Sequence, residues 1–488
     1  MHRRGHVYLT TGSLVLIIFV SQRSEAQFSA NFQTNILSGV GTNWFGNYYV
    51  GSNTFADVLL MHNSAVLGVS GGYLGYEVSA SNNTALLTDP GTVWSCTAPL
   101  VVGNSGANNS LIISNNAQAQ GGTFSYVGYH SSSSNNTVRI TGSNSSWGAS
   151  TNLYIGYDGS GNTFVIENGG GVRSYGLGYV SGSSGSRNSL VVSGTNSYWN
   201  STGNLTVGGS LGASNSVVVS NGAQVVNGTY GYLGVFSDAN SALITGTGSI
   251  WSIATDLRVG GFGRRNSLVI SNGGVVVNAN GYIGAYSAGS SNSVCVVGGA
   301  VWQNNWLRVG DQGSSNALVV AGGTVYATNL TIGFASAACN NLVELDSGSL
   351  NVTNGSGGGV LEVRHGGLVM NGGVLHADTL VITNPCAQLA HTGGSLIVSN
   401  VVLDPNLFRI TSITRQSNDL LITWMMGPGA TNALQVVTGG ADGGYRTTGF
   451  TDLLVVTNNP GVGTVTNYLD LGAATNTPAR YYRARFVP

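Results

Sequence analysis

The chain carries 488 residues with a formal net charge of −1; only 7% are charged, and all 17 basic residues are Arg. That balance attracts neither nucleic acid nor an anionic membrane over long range. Gly is abundant at 75 residues, yet 42% of the chain is hydrophobic, with Val, Ile and Leu recurring at fixed places, so a packed core rather than disorder is expected.

The N-terminus has the pattern of an export signal over residues 1–26. His2, Arg3, Arg4 and His6 give a positive start, Val7 to Val20 an apolar run, and Ser24-Glu25-Ala26 places small residues before a cut at Gln27. The apolar run is short for a ~20-residue membrane span, so no span is expected after signal removal, and the protein is expected outside the cell or on its surface.

Residues 27–405 are a repeat domain. Trp44, Trp94, Trp147, Trp199, Trp251 and Trp302 recur at gaps of 50, 53, 52, 52 and 51 residues. At half that period runs an Asn-[Ser/Thr]-apolar-x-apolar motif, led by Asn83, Asn109, Asn136, Asn162, Asn188, Asn215, Asn240, Asn266, Asn292, Asn316 and Asn341, with Asp57 one step earlier. Steps of 24 to 27 residues mean that one supersecondary unit is stacked many times.

One unit reads Asn266-Ser267-Leu268-Val269-Ile270, then Val275-Val276-Val277, then Gly281-Tyr282-Ile283-Gly284: three short strands punctuated by turn residues. In Asn136-Thr137-Val138-Arg139-Ile140 the charge lies between two apolar residues, so the apolar pair points inward. Three strands per ~26 residues predict an all-β protein, a right-handed parallel β-helix. A propeller blade fits the 52-residue unit but not its half-repeat. One coil offers four to six inward side chains, each contributing about 1.5–3 kcal/mol. Ordering its backbone costs about 1–2 kcal/mol per residue, so coils fold only by stacking.

The Asn column reads as a structural ladder, with amides bonding from coil to coil and Asn supplying left-handed turn backbone. The Trp residues read as core. The four cysteines, Cys96, Cys295, Cys339 and Cys386, leave three pairings open. The stretch Asn266 to Ser287, with Gly248 to Trp251 and Leu257 to Leu268, resembles the autotransporter/PEP-CTERM-associated repeat over about residues 40–345. The resemblance implies an exported bacterial β-helix and carries no catalytic residues. No translocator barrel, Pro-Glu-Pro motif or basic apolar tail accompanies it here.

After Asn341 the register loosens through Leu361-Glu362-Val363 and Leu380-Val381-Ile382 to Gly393-Gly394-Ser395-Leu396-Ile397-Val398, and Asp404-Pro405 marks a boundary. Residues 408–488 alternate like the strands of a small fibronectin type III-like β-sandwich, with turns at Gly427-Pro428-Gly429 and Asn458-Asn459-Pro460-Gly461. In its last strand, Arg483 and Arg485 share the outer face.

Chemistry is thinly signalled. The repeat domain holds 13 acids with no Asp-Asp pair, whereas glycosidase or lyase chemistry needs facing carboxylates or a bound cation. Asp158 with Glu167, and Glu344 with Asp346, are close in sequence. The most enzyme-like cluster is Glu362, Arg364, His365, His376, Asp378 and His391, in which His365 and His391 lie 26 apart and can stack on successive coils. No catalytic, metal or cofactor residues are assigned. Tyr flanks the apolar-Gly turn at Tyr73, Tyr126, Tyr154, Tyr232 and Tyr282, and also at Tyr76, Tyr129, Tyr157, Tyr175, Tyr179 and Tyr286. With Leu74, Val127, Ile155 and Ile283 inward, the preceding Tyr faces out as an aromatic stripe suited to sugar rings or a partner. The function expected is therefore a non-catalytic, secreted or surface β-helical structural or adhesion protein. Its expected partners are extracellular polysaccharide or a cell-surface protein; the alternative is a polysaccharide lyase or glycoside hydrolase.

Overall fold

The computed structural model describes residues 28–403, 409–426, 431–439, 444–445, 448–457, 464–475 and 479–487. The export signal, Asp404-Pro405 and the two predicted sandwich turns lie outside the described residues. The described chain is all β. It forms a parallel β-solenoid of about 13 turns with coils of about 26 residues, followed by small antiparallel sheets.

One coil shows how sequence becomes structure. Strands Ser189–Ser193, Tyr198–Ser201 and Leu205–Val207 put Leu190, Val192, Trp199, Leu205 and Val207 into the interior, all fully buried. Each strand pairs in parallel with its equivalent one coil on: Ser189 with Ser216, Tyr198 with Gln224, Leu205 with Gly231. Repetition builds three continuous sheets around one core, here called first, second and third in chain order. Ala317–Ala327 and Asn341–Val352 each fuse the first two strands of a coil, Val374–Ile382 and Ser395–Leu403 fuse the last two, and the coils centred on Leu361, Leu380 and Leu396 extend the stack.

The Asn column runs unbroken along the inside of the turn that enters the first sheet. Asn162 accepts hydrogen bonds at Oδ1 from the backbone N–H (2.9 Å) and Nδ2 (3.0 Å) of Asn136, and donates from Nδ2 to Asn188 Oδ1 at 3.0 Å. The same double bond recurs from Asn83–Asn109 to Asn316–Asn341, and Asp57 starts the column by donating its N–H to Asn83. The left-handed backbone does not fall on these Asn residues but on the residue before each, such as Asn135 (φ 56°), Arg187 (φ 55°) and Arg265 (φ 55°). The kink one residue earlier turns the following side chain inward. The Gly closing most third strands makes room for the ladder: Gly156 has φ 73°, and a Cβ there would overlap the Asn188 amide.

The two-coil period comes from packing across coils. Trp94, Trp147, Trp199, Trp251 and Trp302 are fully buried, whereas Trp44, in the first coil, is only half-buried. The indoles of Trp94, Trp199, Trp251 and Trp302 reach beneath a Gly of the third strand in the preceding coil. A Cβ on Gly72, Gly178 or Gly281 would lie 2.9, 2.7 and 2.9 Å from Cζ2 of Trp94, Trp199 and Trp302. Coils therefore alternate between Trp with Leu, as in Trp199/Leu205, and a smaller residue with Gly, as in Val172/Gly178; before Trp147 the pair is Ala119 with Ser125. Where the next coil carries Leu350 instead of Trp, the Gly position is Leu330. Indole and missing side chain fill one volume.

The C-terminal module has two three-stranded antiparallel sheets. One holds Arg409–Gln416, Asp419–Met426 and Thr464–Asp470, the other Thr451–Thr457, Thr431–Thr438 and Arg480–Val487. Ile422, Trp424, Met426 and Leu434 form their shared core, with Tyr482 and Ala484 against it. Arg483 and Arg485 lie exposed on the last strand, bonded to Gln435 and Asp452.

Candidate functional site

The outer face of the third sheet carries the aromatic side chains. With Leu74, Val127, Ile155 and Ile283 fully buried, period-2 alternation turns Tyr73, Tyr126, Tyr154 and Tyr282 outward, and Tyr232 likewise beside Leu233; all five are half-buried. Tyr126, Tyr154 and Tyr179 stack in sequence, at 5.1 Å and 4.8 Å between ring centroids and 11° and 5° between planes. Burial first, and then the neighbouring phenols, push Tyr126 up to about 12, so it presents a neutral hydroxyl near neutral pH.

The row is not continuous. Register places Val101 between Tyr73 and Tyr126, so Tyr73 stacks on Tyr49 instead, at 5.3 Å. Thr206 stands between Tyr179 and Tyr232, and Arg258 between Tyr232 and Tyr282. Arg258 lies 5.7 Å from the Tyr232 ring and 5.5 Å from that of Tyr282, and pairs with Asp256 at 3.0 Å. Tyr175 does not belong to this row: it sits 68% exposed beyond the end of a second-sheet strand.

The break at Thr206 opens a notch of about 380 Å³ lined by Tyr179, Thr206, Tyr232, Phe236, Arg258 and Phe262, among others. Stacked rings hide one another's faces, so faces are free only where a rung is missing. Phe236 and Phe262, stacked at 5.1 Å, wall the notch from the adjoining turn. Its signal in the sequence is the replacement of Gly-Tyr-apolar by Leu205-Thr206-Val207 and by Leu257-Arg258-Val259; Phe236 and Phe262 stand outside the Tyr motif and are not marked by it.

The acidic and histidine cluster near the end of the solenoid is dispersed. Glu362 pairs with Arg364 at 2.8 Å, and Arg364 lies over the Phe334 ring at 4.8 Å. Asp378 accepts the N–H groups of Asn354 and Gly359 at 3.0 and 2.8 Å, which pins that loop. These bonds, that from Asn354 foremost, hold its carboxyl below the usual range. His376 faces the neighbouring strands Asn351 and Ile397. His365 and His391 do not stack: Gly367 pairs with Gln388, 21 residues on, so His391 falls beside Met370. Coils shorten here, and a 26-residue step overshoots. Asp158 and Glu167 bond to different partners, Ser184 and Arg139, whereas Glu344 and Asp346 both accept from Asn371 Nδ2, at 3.1 and 2.8 Å.

Among the described residues no three His, Cys, Asp or Glu side chains converge as a metal site. The four cysteines are all free thiols. Among the described residues no helix is long and apolar enough to cross a membrane. Comparison with protein-family models, with curated proteins and with solved structures returns no significant match.

Proposed function

We propose that this chain is an exported, non-catalytic β-helical scaffold of the cell surface that binds neutral extracellular glycan along its third sheet. Its repeats are those of the autotransporter/PEP-CTERM-associated type. The observation that carries the reading is the Thr206 notch. Register leaves Tyr179 and Tyr232 two coils apart, roughly 9–10 Å along the axis at ~4.8 Å per coil, with Thr206 rather than an aromatic residue paired between them. A sugar ring entering there stacks its C–H face on Tyr179, and Asn204 and Ser210, which also line the notch, supply polar groups for its hydroxyls.

The test is calorimetry and glycan-array binding with the full chain and a Thr206→Tyr variant. Tyr at 206 completes the stack and closes the notch without disturbing the core. Saturable binding of a neutral oligosaccharide by the native chain, lost in Thr206→Tyr, supports the reading. Equal binding by both, or none by the native chain, overturns it. The lyase or hydrolase alternative rests on the Glu344–Asp346 pair bridged by Asn371. Polysaccharide turnover abolished by Asp346→Asn would establish it instead.

A further inference from the structure

A second opening lies on the outer face of the second sheet and owes nothing to the Tyr row. The column of outward residues there runs Gln120, Gly148, Arg173 across successive coils, beside Gln118, Ser146, Gly171, Tyr198. Two adjacent coils thus present Gly where side chains would stand. A Cβ on Gly148 would meet nothing within 4 Å, while the Tyr198 ring lies directly over Gly171. The result is a saddle of about 510 Å³ floored by Gly148. Gln118 and Gln120 wall one side, Arg173 and Tyr198 the other, and Tyr175 stands at the rim.

The chemistry of the lining is specific. Arg139, Arg258, Arg308 and Arg364, on other outward strand positions, each hold a carboxylate. Arg173 holds none among the described residues; its guanidinium lies 5.7 Å from the centroid of the Tyr198 ring. The amides of Gln118 and Gln120 make no hydrogen bond among the described residues. No acidic side chain lines the saddle. One uncompensated cation, two unspent amides and two tyrosines therefore face one concave space. A guanidinium backed by a ring keeps its hydrogen-bonding fork free for an oxyanion.

We propose that this saddle binds a carboxylated sugar residue of an acidic polysaccharide. Arg173 takes the carboxylate, the Tyr175 and Tyr198 rings pack against the pyranose, and Gln118 and Gln120 bond its hydroxyls. The site is independent of the Thr206 notch, so either can fail alone.

The experiment measures binding of the full chain to a hexuronate tetrasaccharide, its carboxyl-reduced neutral counterpart and a sulfated oligosaccharide of equal length. It uses the native chain, Arg173→Gln, Gly148→Leu and Thr206→Tyr. Leu at 148 enters open space, so it fills the saddle while the fold persists, as checked by unchanged circular dichroism. The expected result is saturable binding of the hexuronate, at least about tenfold weaker for the reduced oligomer, for Arg173→Gln and for Gly148→Leu, and unchanged in Thr206→Tyr. No binding by the native chain, equal binding by Gly148→Leu, or a preference for the sulfated oligomer overturns the proposal.

Discussion

Exchanging the two halves of the Trp–Gly interlock tests the packing logic most sharply. Gly178 is not at positive φ, so substitution there adds volume without backbone strain. A Cβ would sit 2.7 Å from Trp199 Cζ2 and 3.2 Å from Leu205 Cδ1, and overpacking of that kind costs about 1–3 kcal/mol. Gly178→Ala should therefore destabilise by about 2 kcal/mol. Trp199→Val alone empties the same volume and should cost about 3 kcal/mol. This loss is tempered because the Trp199 Nε1–H is buried without a partner, unlike that of Trp251, which donates to Asn227 at 2.9 Å. The double variant Gly178→Leu/Trp199→Val approaches the Leu330/Leu350 arrangement and should recover about 2–3 kcal/mol relative to the sum of Gly178→Leu and Trp199→Val measured singly. Stacked coils open in segments rather than all at once, so the assay is native-state hydrogen exchange at the amides of residues 178–180 and 198–201. Additive single and double effects, or a neutral Gly178→Ala, would refute the interlock.

Three further outcomes follow from particular contacts. Asn162→Ala removes the acceptor of the Asn136 N–H, a buried donor, and should cost about 3 kcal/mol, read as exchange opening on both sides of that coil. Ser181 holds φ 72° where other coils carry Gly, its Oγ is buried without a partner, and the Asn188–Asn215 bond nearby is stretched to 3.3 Å; Ser181→Gly should stabilise by about 1–2 kcal/mol. Burial raises the Cys96 thiol to about 12, so at pH 8 iodoacetamide should label the exposed Cys339 and Cys386 and leave Cys96 unmodified, as read by mass spectrometry.

The stack was legible because two signals repeat with the coil. The Asn step tracks the backbone turn and the apolar pair after it marks the inward face, so strand, register and core followed from spacing. What spacing cannot carry is contact between coils. The Trp period stood in plain view, but its cause, the Gly of the preceding coil, appears only when Gly178 and Trp199 are brought together. Spacing alone does not tell whether Asn135 or Asn136 takes the left-handed backbone, because both are Asn; Arg187 before Asn188 separates the two roles. The His365–His391 pairing failed because a fixed 26-residue step was extended into coils that had shortened. Both openings were hidden for a related reason: they are defined by missing side chains, at Thr206, Gly148 and Gly171, and a motif search follows what recurs.

The stacking itself is best tested by pulsed electron paramagnetic resonance on spin-label pairs along one outer column of the first sheet, with the four native cysteines replaced by Ala. Thr137 and Ser241 are four coil steps apart and Thr137 and Ser293 six. At ~4.8 Å per step the account predicts backbone separations of roughly 19 and 29 Å, growing in proportion to the number of coils. Separations that do not grow with coil number would contradict it.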